Sequence, residues 1–377
     1  MPQSIKIERL FGGQPLISPT ELWWESGVTF NTATEFLEPC PSNLPALKAL
    51  LGDDTFDNYP DGIVVLHYRA RPKQDDGYPW TRSFVGMSVH DPDLNPIKRF
   101  VTPILEPGNL SHNADIQGVE DPRVTRFEGK WWMVYCGVSL TDDPRPEYAW
   151  IGTVCIARSE DLVNWVKCGP VTGDNSVFAT ESQLANVSNK DGVLLPDRID
   201  GKVMLLHRPM KGEMGTWGTC IASADKPEGP YTDLGAVHGA VQLEGAVTSW
   251  TGAGSVPIKV SDGVYVSIEH TGNYLPNKKR RYVLDAFLYD FNQWDPSRPE
   301  TLVAARIDDF MRPETDFEVH GPFPDSVANV VFACGSYLHK GWLYITYGGG
   351  DSYILAARLP FAELLQALGQ RLTKAAS

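Results

Sequence analysis

Residues 128–138 read EGKWWMVYCGV: an acidic residue and a glycine, then a run of aromatic and β-branched side chains. An acidic-Gly pair favours a tight hairpin turn, because glycine accepts positive φ without a Cβ clash. The run that follows suits a pleated, half-buried surface. The same signature recurs at Asp61-Gly62 before IVVLHYRA, Asp200-Gly201 before KVMLLHRP, Asp262-Gly263 before VYVSIEH and Lys340-Gly341 before WLYITYGGG. Successive glycines are 67, 72, 62 and 78 residues apart. A period this even implies one structural unit repeated five times. A unit of about 70 residues holds roughly four strands, the content of one propeller blade.

The expectation is an all-β, five-bladed β-propeller with a short C-terminal helix. It forms a single domain over 1–377, with blades at 20–105, 106–172, 173–238, 239–306 and 307–360 and the helix at 360–375. PFAELLQALGQRLTKA (360–375) carries apolar residues at helical spacing. The stretch 40–60 reads as a loop insertion in the first blade. A pair of β-sandwiches is the rival fold, and five near-equal units argue against it.

The chain has 377 residues and a formal charge of −14. That balance argues against nucleic acid or an anionic membrane as partner and favours a neutral ligand, while leaving room for one small anion in a local basic pocket. The six cysteines form no CxxC pair and most lie in strand-like runs, so buried, reduced thiols are expected. No run approaches a membrane span, and MPQSIKIERLFGG lacks the apolar core of a secretory signal, so a cytoplasmic location is expected.

A ring of blades creates a central depression, and residues just upstream of each hairpin lie on strands entering it. GVEDPR (118–123) brings Glu120 and Asp121 there; because neighbours on a strand point to opposite faces, only one acid should face the hollow. A second cluster holds Lys190, Asp191, His207 and Arg208, a third Lys259, Glu269 and His270, and Asp351 follows three glycines in YGGGDS. Arg69 occupies the matching place in the first blade. No nucleophile elbow, Walker loop or dinucleotide fingerprint is present, and the histidines lack metal-ligand spacing, so no metal is expected.

At these clusters the chain resembles glycoside hydrolase family 130, the mannoside phosphorylases and related β-mannosidases. The likeness runs through TFN (29–31), VEDPRVT (119–125), KDGVLLPDRIDGKVMLLHRP (190–209), GAGSVPIK (252–259), IEHTG (268–272), NVVFACG (329–335) and YITYGGGDSYILAA (344–357). It implies a five-bladed propeller that cleaves β-mannosidic bonds in manno-oligosaccharides with inversion. Asp121 would be the acid, protonating the leaving oxygen through a mannose hydroxyl. Arg69, Asn31, Glu120, Asp191, His207, His270 and Asp351 would bind sugar. Arg208 and Lys259, with Lys190 where phosphorylases tend to carry Arg, would hold inorganic phosphate as a co-substrate. Glu269 stands where many members have Tyr. An inverting hydrolase needs a base as well as an acid, with carboxyls roughly 6.5–9.5 Å apart. Glu269 is the expected base, with Glu181 a weaker candidate, and this places hydrolysis slightly ahead of phosphorolysis. A non-catalytic glycan- or protein-binding propeller is a third reading. Loops 40–60, 140–148 and 273–281 are expected to set linkage and substrate length, and the C-terminal helix is a candidate homo-oligomer interface.

Overall fold

The computed structural model describes residues 5–52, 58–74, 82–108, 111–141, 150–276, 279–321 and 327–375, the side chains of 370–375 excepted. Within them the strands form five antiparallel sheets. Blade one comprises Val28–Leu37, Ile63–Arg71, Phe84–His90 and Pro96–Arg99. Blade two comprises Gly118–Phe127, Lys130–Leu140, Trp150–Ser159 and Trp165–Pro170. Blade three comprises Asn189–Leu194, Val203–Pro209, Thr219–Ala224 and Thr232–His238. Blade four comprises Thr248–Ala253, Val264–Tyr274, Arg280–Asp290 and Val303–Met311, with Ile258–Ser261 paired beside them. Blade five comprises Val331–His339, Trp342–Gly349 and Tyr353–Pro360, and its fourth strand is Glu8–Arg9 from the other end of the chain.

Two sequence expectations shift here. The fourth sheet runs on to Met311, past the anticipated 306 boundary, because its last strand pairs across to Leu284. The fifth blade borrows Glu8–Arg9, where Glu8 meets Arg358 across the strands and in an ion pair of 2.9 Å. A two-residue strand carries too little periodic signal to be read in advance.

The glycine turns do what their sequences imply. At Glu128-Gly129, Asp200-Gly201 and Lys340-Gly341 both residues have positive φ, the conformation that matches strand twist in two-residue hairpins. All five turns lie at the same end of the blades, after the first strand and before the second. The 40–60 insertion joins Leu37 to Ile63 at that end too, whereas Phe30 and Arg69 pair at the other. Its described part therefore sits away from the central hollow, contrary to the specificity role expected of it. Part of it is a helix, Leu44–Leu51, whose Ala46, Leu47 and Leu50 are buried against blades one and two; residues 53–57 lie outside the described residues.

Each pair of neighbouring blades shares one apolar cluster. Val65 and Met87 meet Met133 and Tyr135 between blades one and two, and Ile268 and Leu284 meet Ile345 and Leu355 between four and five. The C-terminal helix, Phe361–Ala375, turns Leu364 and Leu368 into the latter cluster. Burial of such side chains stabilises by about 1.5–3 kcal/mol each and holds the blades in register. Four cysteines are buried as expected, but Cys40 is half-buried and Cys168 exposed; all six are free. Among the described residues no helix is long and apolar enough to cross a membrane.

Candidate active site

The first strands of blades one, two and three share an irregularity. Pairing with the second strand skips between Phe30 and Thr32, between Glu120 and Arg123, and between Lys190 and Val193. Asn31, Asp121 and Asp191 lie within these bulges with φ of 46, 50 and 54°. Asn and Asp tolerate this left-handed region better than other L-residues, and each such position costs on the order of 1–3 kcal/mol. A bulge breaks the strict alternation of side chains. Phe30 with Asn31, Glu120 with Asp121, and Lys190 with Asp191 consequently all line one cavity of about 210 Å³. The expectation that only one of Glu120 and Asp121 faces the hollow is wrong for this reason.

Ordinary alternation holds on the second strands. Arg208 reaches the cavity, so its neighbour His207 points away, buried against Phe178 with Asn189 and Asp233 as polar partners. His270 reaches toward Asp191, its Nε2 3.4 Å from Oδ2, so Glu269 points away. Glu269 is fully buried, accepting hydrogen bonds from Thr219 at 2.7 Å, Ser267 at 3.1 Å and Tyr289, and lying 3.1 Å from His238 Nε2. It does not line the cavity, and the base expected there is absent from that position. Lys259 is outside as well, on the short Ile258–Ser261 strand, half-exposed and paired with Asp197 and Asp262. Glu181 is exposed, and its main-chain carbonyl meets His112 Nε2 at 3.0 Å.

Within the cavity the charges interlock. Asp121 Oδ1 accepts from Asn31 Nδ2 at 2.8 Å and Arg69 Nη1 at 3.2 Å. Arg69 also bonds Glu120, whose other oxygen lies 3.2 Å from Lys190 Nζ. Asp191 Oδ2 accepts from Arg208 Nε at 2.6 Å. Arg123, fully buried below, donates to Asp121 O, to Gly254 O and Ala253 O, and to Asp191, closing the floor of the hollow. Burial would raise the proton affinity of Asp121, but Arg69, Arg123 and Lys190 together outweigh it and hold the carboxyl below its usual range. Asp191 is held well below by Arg208 and His270 against the same opposing burial. Asp351 goes the other way: burial pushes it up to about 6, offset in part by Arg69 and aided by Asp121.

Two glycines make this packing possible. A Cβ on Gly348 would collide with Asn31 Oδ1, and one on Gly252 with Asp191 Oδ2 and Arg208. The glycines before Asp351 thus admit protein atoms at close range.

Sequence reasoning missed Trp150, Arg280, Tyr282, Phe30 and Phe332, which also line the cavity. Phe30 and Phe332 fall inside the quoted TFN and NVVFACG motifs. Arg280 and Tyr282 sit at the 273–281 loop, of which 277–278 lie outside the described residues; most of 140–148 does too. Trp150 carries Lys190 Nζ 4.3 Å above its ring. Among the described residues no group of three or more His, Cys, Asp or Glu side chains is placed to hold a metal ion.

Comparison with known proteins identifies the family. A model of the family described as beta-1,4-mannooligosaccharide phosphorylase matches residues 83–370. A 1,2-beta-oligomannan phosphorylase of Thermoanaerobacter sp. (strain X514) is 28% identical over 369 residues, covering 96% of this chain and 99% of the relative. A solved beta-1,2-mannobiose phosphorylase from Listeria innocua, in complex with beta-1,2-mannobiose, superposes with a TM-score of 0.67 at 23% identity, covering 97% of this chain and 99% of that one. A structure reported under the finding that the GH130 family of mannoside phosphorylases contains glycoside hydrolases targeting beta-1,2 mannosidic linkages in Candida mannan superposes with a TM-score of 0.66 at 23% identity, over 94% of both chains. The chain belongs to glycoside hydrolase family 130, and is an enzyme of its mannoside phosphorylase and hydrolase type.

Proposed function

We propose that this enzyme is a β-mannoside phosphorylase, which cleaves the bond with inversion and releases α-mannose 1-phosphate. The observation that carries this reading is the composition of the cavity: Lys190, Arg208 and Arg280 line it, while Glu269, the ground for preferring hydrolysis, faces a blade interface. Phosphate is itself a competent nucleophile and needs cations to gather it rather than a base. The related proteins that carry phosphorylase names support the same choice.

In this reading Asp121 donates the proton, Asn31 and Arg69 fix its carboxyl, and Asp351 accepts hydroxyls of the mannose ring. Lys190 and Arg208 hold the phosphate. Asp121 is ionised in the free protein because three cations surround it. A dianion on the Lys190 side opposes their field and raises the proton affinity of Asp121, so the acid is loaded when the nucleophile is in place. Water lacks that charge. The sugar phosphate formed is membrane-impermeant, which suits a cytoplasmic setting.

The test is incubation with β-1,2- and β-1,4-mannobiose, with and without inorganic phosphate. The named activities of the relatives make β-1,2-mannobiose the first substrate to try. Phosphate-dependent mannose 1-phosphate is the expected product. Free mannose formed at the same rate without phosphate would refute phosphorolysis. Asp121→Asn should lose roughly 10²–10⁴-fold in kcat, and unchanged turnover would remove Asp121 from its role.

A further inference from the structure

Four cations and four carboxylates line the cavity: Arg69, Lys190, Arg208 and Arg280 against Glu120, Asp121, Asp191 and Asp351. The formal charges balance, so attraction for a dianion has to come from a cation whose charge is not offset by contact. Arg69 is paired with Glu120 and Asp121, Lys190 with Glu120, and Arg208 with Asp191. Arg280 enters no ion pair among the described residues. Its Nε donates to Tyr274 OH at 3.0 Å, and its guanidinium carbon lies 5.1 Å from the centroid of the Tyr274 ring. That contact fixes the plane of the group through Nε; among the described residues neither Nη amine, the fork that grips a phosphate oxygen pair, has a hydrogen-bond partner, and Asp351 acts on the group only at longer range.

The family resemblance implies a phosphate-holding lysine at Lys259 in blade four, and the structure puts that side chain outside the cavity. Arg280 opens the third strand of the same blade. We propose that Arg280 is the residue that captures the phosphate dianion, gripping it from the solvent side while Lys190 and Arg208 face it from within. The assignment rests on the phosphorolysis reading. Tyr282, two residues on, also lines the cavity; burial pushes its hydroxyl up to about 12, so it remains a donor toward the anion. Arg280 lies in Lys279-Arg280-Arg281, a run of three described basic residues in a chain of net charge −14. Such a run marks the mouth as locally attractive to anions, an effect that falls with ionic strength.

The test uses full-length Arg280→Gln and Arg280→Lys, with melting curves confirming that both fold. With β-1,2-mannobiose saturating, KM for phosphate should rise tenfold or more in Arg280→Gln. Its kcat at saturating phosphate and its KM for mannobiose should stay within twofold. Arg280→Lys should recover part of the loss, since lysine restores charge but not the fork. Calorimetric titration of inorganic phosphate into the mannoside-free protein should show the same weakening. Wild-type phosphorolysis with an unchanged KM for phosphate in Arg280→Gln overturns the Arg280 assignment alone. Phosphate binding that depends on Arg280 in a protein that only hydrolyses sustains the assignment and overturns phosphorolysis. A wild type that neither binds phosphate nor turns over with it overturns both.

Discussion

Replacing Glu269 by glutamine separates the two readings of the sequence most cleanly. The side chain keeps its volume, so the change is electrostatic. Glu269 accepts from three hydroxyls, those of Thr219, Ser267 and Tyr289, and lies 3.1 Å from His238 Nε2, with no exposed surface. Hydrogen bonds to a charged group contribute about 1.5–3 kcal/mol each. Three of the four partners are hydroxyls that can rotate to accept from the new amide, which recovers part of that. A net loss of about 3 kcal/mol is expected, or roughly 6 °C in Tm at the low end of the scaling for larger domains. The folded carboxyl titrates below its ordinary range: burial opposes this, but His238, Tyr289 and Thr219 prevail. Its stabilisation is therefore present above the unfolded pKa and fades as pH falls through the lowered folded value. The gap between wild type and Glu269→Gln should accordingly narrow in acid. Differential scanning fluorimetry across pH, paired with initial rates well below the melting range, reads both quantities. Turnover per folded molecule should change less than threefold. A loss above a hundredfold with an unaltered melt would mean that Glu269 acts on substrate, and the placement argued above would be refuted.

Lys259→Ala should leave kcat and both KM values at wild-type levels, because the ammonium faces Asp197 and Asp262 outside the cavity; a raised KM for phosphate would contradict this. Gly348→Ala should displace Asn31 and with it the hydrogen bond to Asp121, lowering kcat by tenfold or more and stability by roughly 1–3 kcal/mol, as rates and a melt would show. Asp351 has a folded pKa of about 6, above its unfolded value, so the folded state loses relative stability as pH rises through that interval. The Tm of Asp351→Asn relative to wild type should thus become more positive between pH 5 and 7, and a trend in the opposite sense would exclude a raised Asp351.

The propeller was legible because its signal is repetitive: five glycine turns, each followed by a β-rich run, survive any error at one of them. The site was legible in its composition and less so in its geometry. Period-two alternation correctly separates Arg208 from His207 and His270 from Glu269, and applied consistently it excludes Glu269 once His270 is placed near Asp191. The same rule fails at Glu120-Asp121 and Lys190-Asp191, where a left-handed residue lets both neighbours face one way. Nothing in the identity of an aspartate announces that it will adopt positive φ. Arg280 was passed over because a basic loop reads as solvated surface until the strands that carry it are seen to end at the cavity.

The repeat also explains how the site divides its labour. Blades one, two and three use one device, a bulged first strand with Asn31, Asp121 or Asp191 at its turn. Blade four keeps that strand regular and narrow: Thr248–Ala253 pairs residue for residue with Tyr274–Glu269, and Gly252 clears space for Asp191 and Arg208. Its polar groups, Arg280 and Tyr282, come instead from the start of the third strand, nearer solvent. The carboxylates fixed by bulges are therefore held deep, while the cation with no carboxylate in contact among the described residues stands at the mouth. Under phosphorolysis that order suits the chemistry. A proton donor has to be held within tenths of an ångström by neighbours such as Asn31 and Arg69. A dianion has first to be drawn from water by a group able to follow it inward.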